Sequence, residues 1–225
     1  MSLGARFLRT LEIIRNPVRL KVANNNMITR LLLLGALAMG LATTAAEPKP
    51  LKLGDKIPDV TLRSEENREV KLREVVAAKK TVLIFYRGGW CPFCTKHLQA
   101  LAGIQEELRS AGSQIVAISM DQPSKLKGTP GRDKLTYTLL SDSDAKAAQA
   151  FGIAFKVEDQ IVARYKSSYG LDLEAESGRT HHQLPHPAVY VVEPSGTIRF
   201  AHVNQDYKQR LEPAKILEAV RSVSE

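Results

Sequence analysis

The chain's two cysteines, Cys91 and Cys94, stand together in the stretch FYRGGWCPFCTKHL (Phe85 to Leu98), beside its single tryptophan, Trp90. Such a pair can be a structural staple, a disulfide-exchange centre or a peroxide-reducing thiol. The staple reading is physically weak. A disulfide stabilises mainly by restricting the unfolded chain, and a loop closed over Pro92 and Phe93 alone restricts very little. Reactivity explains the spacing better. A zinc site wants four ligands, and two cysteines with distant histidines supply a poor set. His181, His182 and His186 in THHQLPH have no carboxylate among them, so neither a metal nor any other cofactor is expected.

The charge balance excludes one class of partner. The 225 residues carry a formal net charge of +8, which at first suggests nucleic acid. Residues 1–46, however, hold six basic side chains against Glu12 alone, leaving 26 basic and 23 acidic residues in the remainder. That near-balance gives no electrostatic reason to bind a polyanion. The basic excess sits in a segment that reads as removable. Arg30 precedes an apolar run from Leu31 to Ala42, too short to span a membrane but suited to a signal-peptide core. Thr44-Ala45-Ala46 then offers a cleavage site before Glu47. The expected division is an upstream extension over 1–26, with Met27 as an alternative start, a signal peptide over 27–46, and one domain over 47–225. Export, to the periplasm, follows, with no stable membrane span in the mature form; an organelle transit peptide is the rival. Two cysteines in an oxidising compartment pair as Cys91–Cys94.

The elements that must position the pair can be read from the pattern. GDKIPDVTLRSEENREVKLREV alternates on both sides of a turn at 64–67, as two short strands do. KKTVLIFYR is a continuous β-branched and aromatic run, expected of a central strand buried on both faces. Gly88-Gly89 break it, and Pro92 stands where a helix can begin. Leu98, Leu101, Ile104 and Leu108 keep helical spacing as far as Gly112, and SQIVAISMD is a second buried strand. KLTYTLLSD reads as a strand, followed by a helix capped by Ser141 or Asp142 and ended by Gly152. Residues 155–184 read as a loop-rich insertion with one helical turn. AVYVVEPSGTIRFAHV is a hairpin, and RLEPAKILEAVRSV an amphipathic helix. This order predicts an α/β, thioredoxin-like fold, a central mixed sheet flanked by helices. The pair then lies at a helix N-terminus, whose free N–H groups lower a thiol pKa and leave Cys91 at an exposed cap. Phe85 and Tyr86 are core residues, and His97 faces either solvent or the sheet.

From Leu53 to Val220 the sequence resembles the peroxiredoxin-like (alkyl hydroperoxide reductase, thiol-specific antioxidant) branch of the thioredoxin superfamily. GDKIPDVTL and TYTLLSDSDAKAAQAFGI resemble peroxiredoxin segments, and WCPFC resembles the thioredoxin active site. The peroxiredoxin likeness implies Cys94 as the peroxidatic thiol, with Cys91 where that family has a threonine. The thioredoxin likeness implies Cys91 as the attacking thiol and Cys94 as the resolving one, with Trp90 on the rim. Two departures stand out. Arg87 replaces an early proline of the peroxiredoxin loop. Pro187 replaces an arginine before AVYVVEP and resembles the thioredoxin cis-proline, which would bring His186 near the sulfurs to tune their pKa. Arg87 could supply the missing positive charge.

The resemblance implies reduction of hydrogen peroxide or alkyl hydroperoxides, with a thioredoxin-like protein as reductant. A second reading is a protein-disulfide oxidoreductase in which Cys91 attacks a substrate disulfide. A third is a non-catalytic redox-sensing or binding module, for which replacing either cysteine changes no turnover.

Overall fold

The computed structural model describes residues 49–223; the upstream extension, the signal peptide and its cleavage site fall outside them. Among the described residues no helix is long and apolar enough to cross a membrane.

The hydrophobic run read as a central strand is β3, Lys80–Tyr86, with all seven residues buried. It pairs in parallel with β4, Ser113–Ser119, and antiparallel with β8, Ala188–Val192. β1 (Thr61–Arg63), β2 (Glu69–Lys71), β5 (Thr138–Ser141) and β9 (Ile198–Val203) complete a seven-stranded mixed sheet ordered β2-β1-β5-β4-β3-β8-β9. Side chains alternate across it as strand geometry requires. Leu83, Phe85, Val116, Ile118, Tyr190 and Val192 enter one core layer. Val82, Ile84, Tyr86, Ile115, Ala117 and Val189 enter the other. Helix α1 (Leu72–Ala77) contributes Leu72 and Val76 to the first layer. Helices α2 (Pro92–Ala102), α3 (Gln105–Ser110) and α8 (Pro213–Ser222) cover the second, which also holds both cysteines.

Several expectations need correction. The helix after the cysteines does not run to Gly112: it ends at Gly103 and restarts as α3, because Ile104 leaves helical geometry at ψ 5°. Its apolar spacing continues through the break, so periodicity could not reveal it. The third strand begins at Thr138 rather than Lys134, after a short α4 (Pro123–Leu126) and a 3-10 turn at Arg132–Lys134. The supposed loop at 155–184 is ordered. It contains β6 (Ala154–Lys156) and β7 (Gln183–Pro185), paired antiparallel, around α6 (Asp159–Tyr169) and α7 (Leu173–Ser177). Asp142, one of the two expected caps, does hold helix α5 (Lys146–Ala150), accepting the backbone N–H of Ala147 at 2.9 Å and of Ala148 at 2.8 Å.

Candidate active site

β3 ends by feeding Arg87-Gly88-Gly89-Trp90 into α2. The Cys91 N–H donates to the Gly88 carbonyl at 3.1 Å. The Cys91 carbonyl accepts from the N–H groups of Cys94 and Thr95, each at 3.0 Å, and opens the helix with Pro92 in its first turn. Proline suits that position because its missing N–H would have no partner there. Both thiols are free and buried, Cys91 at 1% exposure and Cys94 at 0%. Cys91 is therefore not an exposed cap: it joins the apolar layer beneath β3 with Tyr86 and Leu98.

Burial alone would keep both thiols protonated, so specific partners decide the charge. The Cys94 thiol hydrogen-bonds to Cys91 and stabilises its thiolate; the Cys94 N–H and the charges of Arg87 and Arg210 add to that. Together they hold the Cys91 pKa below its ordinary value despite the desolvation penalty. Cys94 moves the other way, raised first by burial and then by its bond to Cys91 and that sulfur's negative charge. One negative charge and one proton are shared between two sulfurs.

Two guanidinium groups approach this pair. Arg210, half-buried ahead of α8, donates from Nη2 to Cys94 Sγ at 3.1 Å. Arg87 is buried in an aromatic cage, 4.3 Å from the Tyr207 ring centroid, 5.0 Å from Trp90 and 5.6 Å from Tyr165. Its Nη2 donates to the Tyr165 hydroxyl at 2.7 Å. Cation–π attraction substitutes for water around a charge that burial would otherwise disfavour. His97 holds the Arg210 loop in place. Burial, helped by the Arg210 charge, lowers its pKa to about 4, so the ring is neutral and its Nε2–H donates to the Leu211 carbonyl at 3.1 Å. Its side chain thus faces the C-terminal loop, neither of the two orientations the sequence offered.

Pro187 lines a small cavity with Phe85, His97 and Arg210, and neither cysteine is among its lining residues. His186 turns elsewhere, stacking on Phe155 with ring centroids 4.5 Å apart, and burial lowers its pKa. Among the described residues no hydrogen bond joins it to either sulfur. The other two histidines also disperse. His181 Nε2 meets the Ser143 carbonyl at 2.8 Å, and His182 Nε2 meets Glu174 at 2.9 Å. Among the described residues no three metal-binding side chains converge.

The sequence did not single out Arg210, Tyr165, Tyr207 or Asp121. For the first three no local signal exists, since Arg210 lies 116 residues from Cys94. Asp121 had one: a carboxylate directly ending the buried run SQIVAISM. It is 1% exposed, and its Oδ2 accepts the Gly89 N–H at 2.7 Å and the Ser119 hydroxyl at 3.2 Å. Gly88 must be glycine for this fit. A Cβ there would stand 2.2 Å from Trp90 Nε1 and 2.5 Å from Asp121 Oδ1.

Comparison with known proteins agrees with this architecture. Residues 53–201 match the AhpC/TSA family. The peroxiredoxin Bcp of Escherichia coli K12 is 33% identical over 104 residues, covering 46% of this chain and 66% of that protein. The chloroplastic peroxiredoxin Q of Gentiana triflora is 28% identical over 152 residues, covering 68% of this chain and 59% of that protein. The chain thus spans less than two thirds of the length of these relatives. Among solved structures, peroxidoxin BcpB of Mycobacterium tuberculosis superposes with a TM-score of 0.61 at 19% identity, over 78% of this chain and 99% of that one. Reduced Prx3 of Vibrio vulnificus in complex with hydrogen peroxide gives 0.61 at 18% identity, over 76% and 99%. The thioredoxin-like mixed sheet expected from the sequence is the fold of these proteins.

Proposed function

The chain belongs to the AhpC/TSA family, and on that premise we propose that it is a thiol-dependent reductase of hydrogen peroxide or alkyl hydroperoxides. The observation that carries this reading is the convergence of Arg87 and Arg210 on a buried thiol pair sharing one proton. Fixed cations in an apolar layer stabilise both the attacking thiolate and the negative oxygen that leaves. Cys91 is the sulfur that ionises, so its thiolate attacks the peroxide. The O–O bond breaks, Cys91 becomes a sulfenic acid, and the departing oxygen takes up a proton as water or alcohol. Cys94 then displaces hydroxyl from the Cys91 sulfur, forming the disulfide and releasing water. A thioredoxin-like dithiol resets the pair by exchange.

A second reading has a specific observation in its favour. Arg210 contacts the Cys94 sulfur directly, which suits Cys94 as first attacker with Cys91 resolving, the order implied by the peroxiredoxin likeness. Anaerobic single turnover with hydrogen peroxide, followed by Trp90 fluorescence, separates the two. If Cys91 attacks, Cys91→Ser abolishes fast oxidation and Cys94→Ser accumulates a trappable sulfenic acid on Cys91. The reverse pattern assigns the attack to Cys94. Peroxide reacting with neither variant nor wild type faster than with a free thiol removes the peroxidase function. Protein-disulfide exchange would then remain if a mixed disulfide can be trapped on Cys91, and a non-catalytic module if it cannot.

Residues 27–46 serve, on the same proposal, as a signal peptide that delivers residues 47–225 to the periplasm. The mass of the protein from a periplasmic fraction tests this: a chain beginning at Glu47 supports it, and an intact N-terminus in the cytosolic fraction sinks it.

A further inference from the structure

A charge buried at the end of β3 needs neighbours, and Arg87 draws its own from three separate parts of the chain. Trp90 belongs to the same loop, Tyr207 to the segment between β9 and α8, and Tyr165 to α6 of the inserted arm. The guanidinium is 4% exposed, and ring faces attract its charge without accepting its in-plane N–H groups. Among the described residues its only side-chain hydrogen bond runs from Nη2 to the Tyr165 hydroxyl at 2.7 Å, and the buried Nε has no partner. Without that hydroxyl the cation would be desolvated with no acceptor in return. Solvent is near at hand, because Trp90, Tyr165 and Tyr207 are only half-buried.

The arm gives the hydroxyl a fixed place. β6 and β7 pair at its base, where the Val157 N–H donates to the His182 carbonyl and the His186 N–H to the Ile153 carbonyl, each at 2.8 Å. Ile161, Val162 and Leu171 pack with Tyr165 against the first core layer. At the end of α6 the Tyr165 carbonyl accepts the N–H groups of Gly170 and Leu171, with Gly170 turning through the left-handed region at φ 64°. Lys166 and Asp172 close the same turn with an ion pair at 2.7 Å. Yet α6 buries none of its own residues. A helix that adds so little to the core is better explained by what it holds than by what it packs.

We propose that Tyr165 is a positioning residue: through its hydroxyl, the inserted arm holds the Arg87 guanidinium in the aromatic cage beside the loop that presents Cys91. This rests on the reading in which Cys91 is the sulfur that ionises. The cage and the thiol share a short loop. Trp90 adjoins Cys91 in the chain, and the Cys91 N–H is tied to the Gly88 carbonyl, next to Arg87. The groups that act on the Cys91 charge are Cys94 from α2, Arg87 from the end of β3 and Arg210 from the segment before α8. Of these, Tyr165 bonds to Arg87 alone. A guanidinium released to solvent is screened by water and salt, and its hold on the thiolate fades.

The test needs no peroxide, so it stands apart from the peroxidase reading. Tyr165→Phe removes the hydroxyl and keeps the ring, so packing and the cation–π contact survive. Thiolate absorbance of the reduced protein is titrated with pH, and iodoacetamide alkylation is timed at pH 6, with the alkylated sulfur identified by peptide mass. The wild-type midpoint lies at about 6. Weakening a neighbouring cation is expected to raise it by about 1 and to slow Cys91 alkylation at pH 6 about 5-fold. Arg87→Met should shift the midpoint at least as far, and adding Tyr165→Phe to it should shift nothing more, because both changes act through one cation. An unchanged midpoint and rate in Tyr165→Phe overturn the proposal. So does a Tyr165→Phe shift that persists in full beside Arg87→Met. Wild-type alkylation on Cys94 overturns the Cys91 reading and the proposal with it, whereas these shifts in a protein inert to peroxide support the proposal and remove only the peroxidase function. If Tyr165→Phe does not fold, nitrogen NMR of the wild type decides: a held guanidinium shows separate Arg87 Nη signals, and a single averaged signal overturns the proposal.

Discussion

Two adjacent parallel strands, β4 and β5, each end in a serine followed closely by a buried aspartate, and the serines face each other in register. At the end of β5 both oxygens of Asp142 accept a helical N–H, and its own N–H donates to the Ser119 carbonyl at 2.7 Å. At the end of β4 only one oxygen of Asp121 is satisfied. Burial raises both carboxyl groups, Asp121 to about 7 and Asp142 to about 6. Elevated pKa therefore does not tell the two carboxylates apart. Unspent hydrogen-bonding capacity among the described residues does. One aspartate closes a helix, and the other is left with a lone pair facing the CxxC loop.

The contrast can be broken most severely from the thiol side. Arg210→Met removes the donor on the Cys94 sulfur and one of the two cations favouring the Cys91 thiolate. For a thiol at about 6, losing an adjacent opposite charge worth about 1–3 in pKa should slow Cys91 alkylation at pH 7 about 2- to 100-fold, with little change in melting temperature. Asp142→Ala should do the opposite. Losing two hydrogen bonds from a buried acceptor costs about 3 kcal/mol in denaturant unfolding, while Cys91 alkylation in the folded protein keeps its wild-type rate.

The third expected effect concerns the sign of stability with pH. Asp121 binds its proton more tightly folded, at about 7, than unfolded, near the ordinary 3.8. Its contribution is therefore full at acid pH and is lost as pH rises between those values. Wild type should lose about 2 kcal/mol relative to Asp121→Asn between pH 5 and pH 8 in parallel unfolding titrations. His97 runs the other way, with a folded pKa of about 4 against an ordinary 6.5. Its contribution is full above the higher value and is lost as pH falls toward the lower. His97→Gln, which retains a donor for the Leu211 carbonyl, should flatten this by about 1 kcal/mol between pH 6 and pH 5.

Much of the scaffold was legible because β3, β4 and β8 are buried on both faces, and that requirement writes a continuous apolar run into the chain. Their order, and the glycine break before Cys91, place the pair at a helix start without further information. Helix α6 was missed for the complementary reason. None of its residues is buried; Ile161, Val162 and Tyr165 touch the core only partly, so its periodicity is diluted by Arg164, Lys166 and two serines. Helix α1 was read as strand because EVKLREV alternates, and its two buried positions, Leu72 and Val76, stand four apart and fit either period. The cysteines, Arg87 and Trp90 lie within one short stretch and could be found together. Arg210, Tyr207 and Tyr165 join them only through tertiary closure, which leaves no mark in local sequence.

That closure also orders events during synthesis. β3 lacks its antiparallel neighbour until β8 has been made, and Arg210 follows later still. A partly made chain therefore carries two ordinary thiols, without the cation on Cys94 or the packed layer around Cys91. Long-range contacts of this kind form late, because distant segments must first be brought together. The thiol pair gains its reactivity as the last strand and helix dock, so a nascent chain presents little to an oxidant and a completed one announces itself chemically.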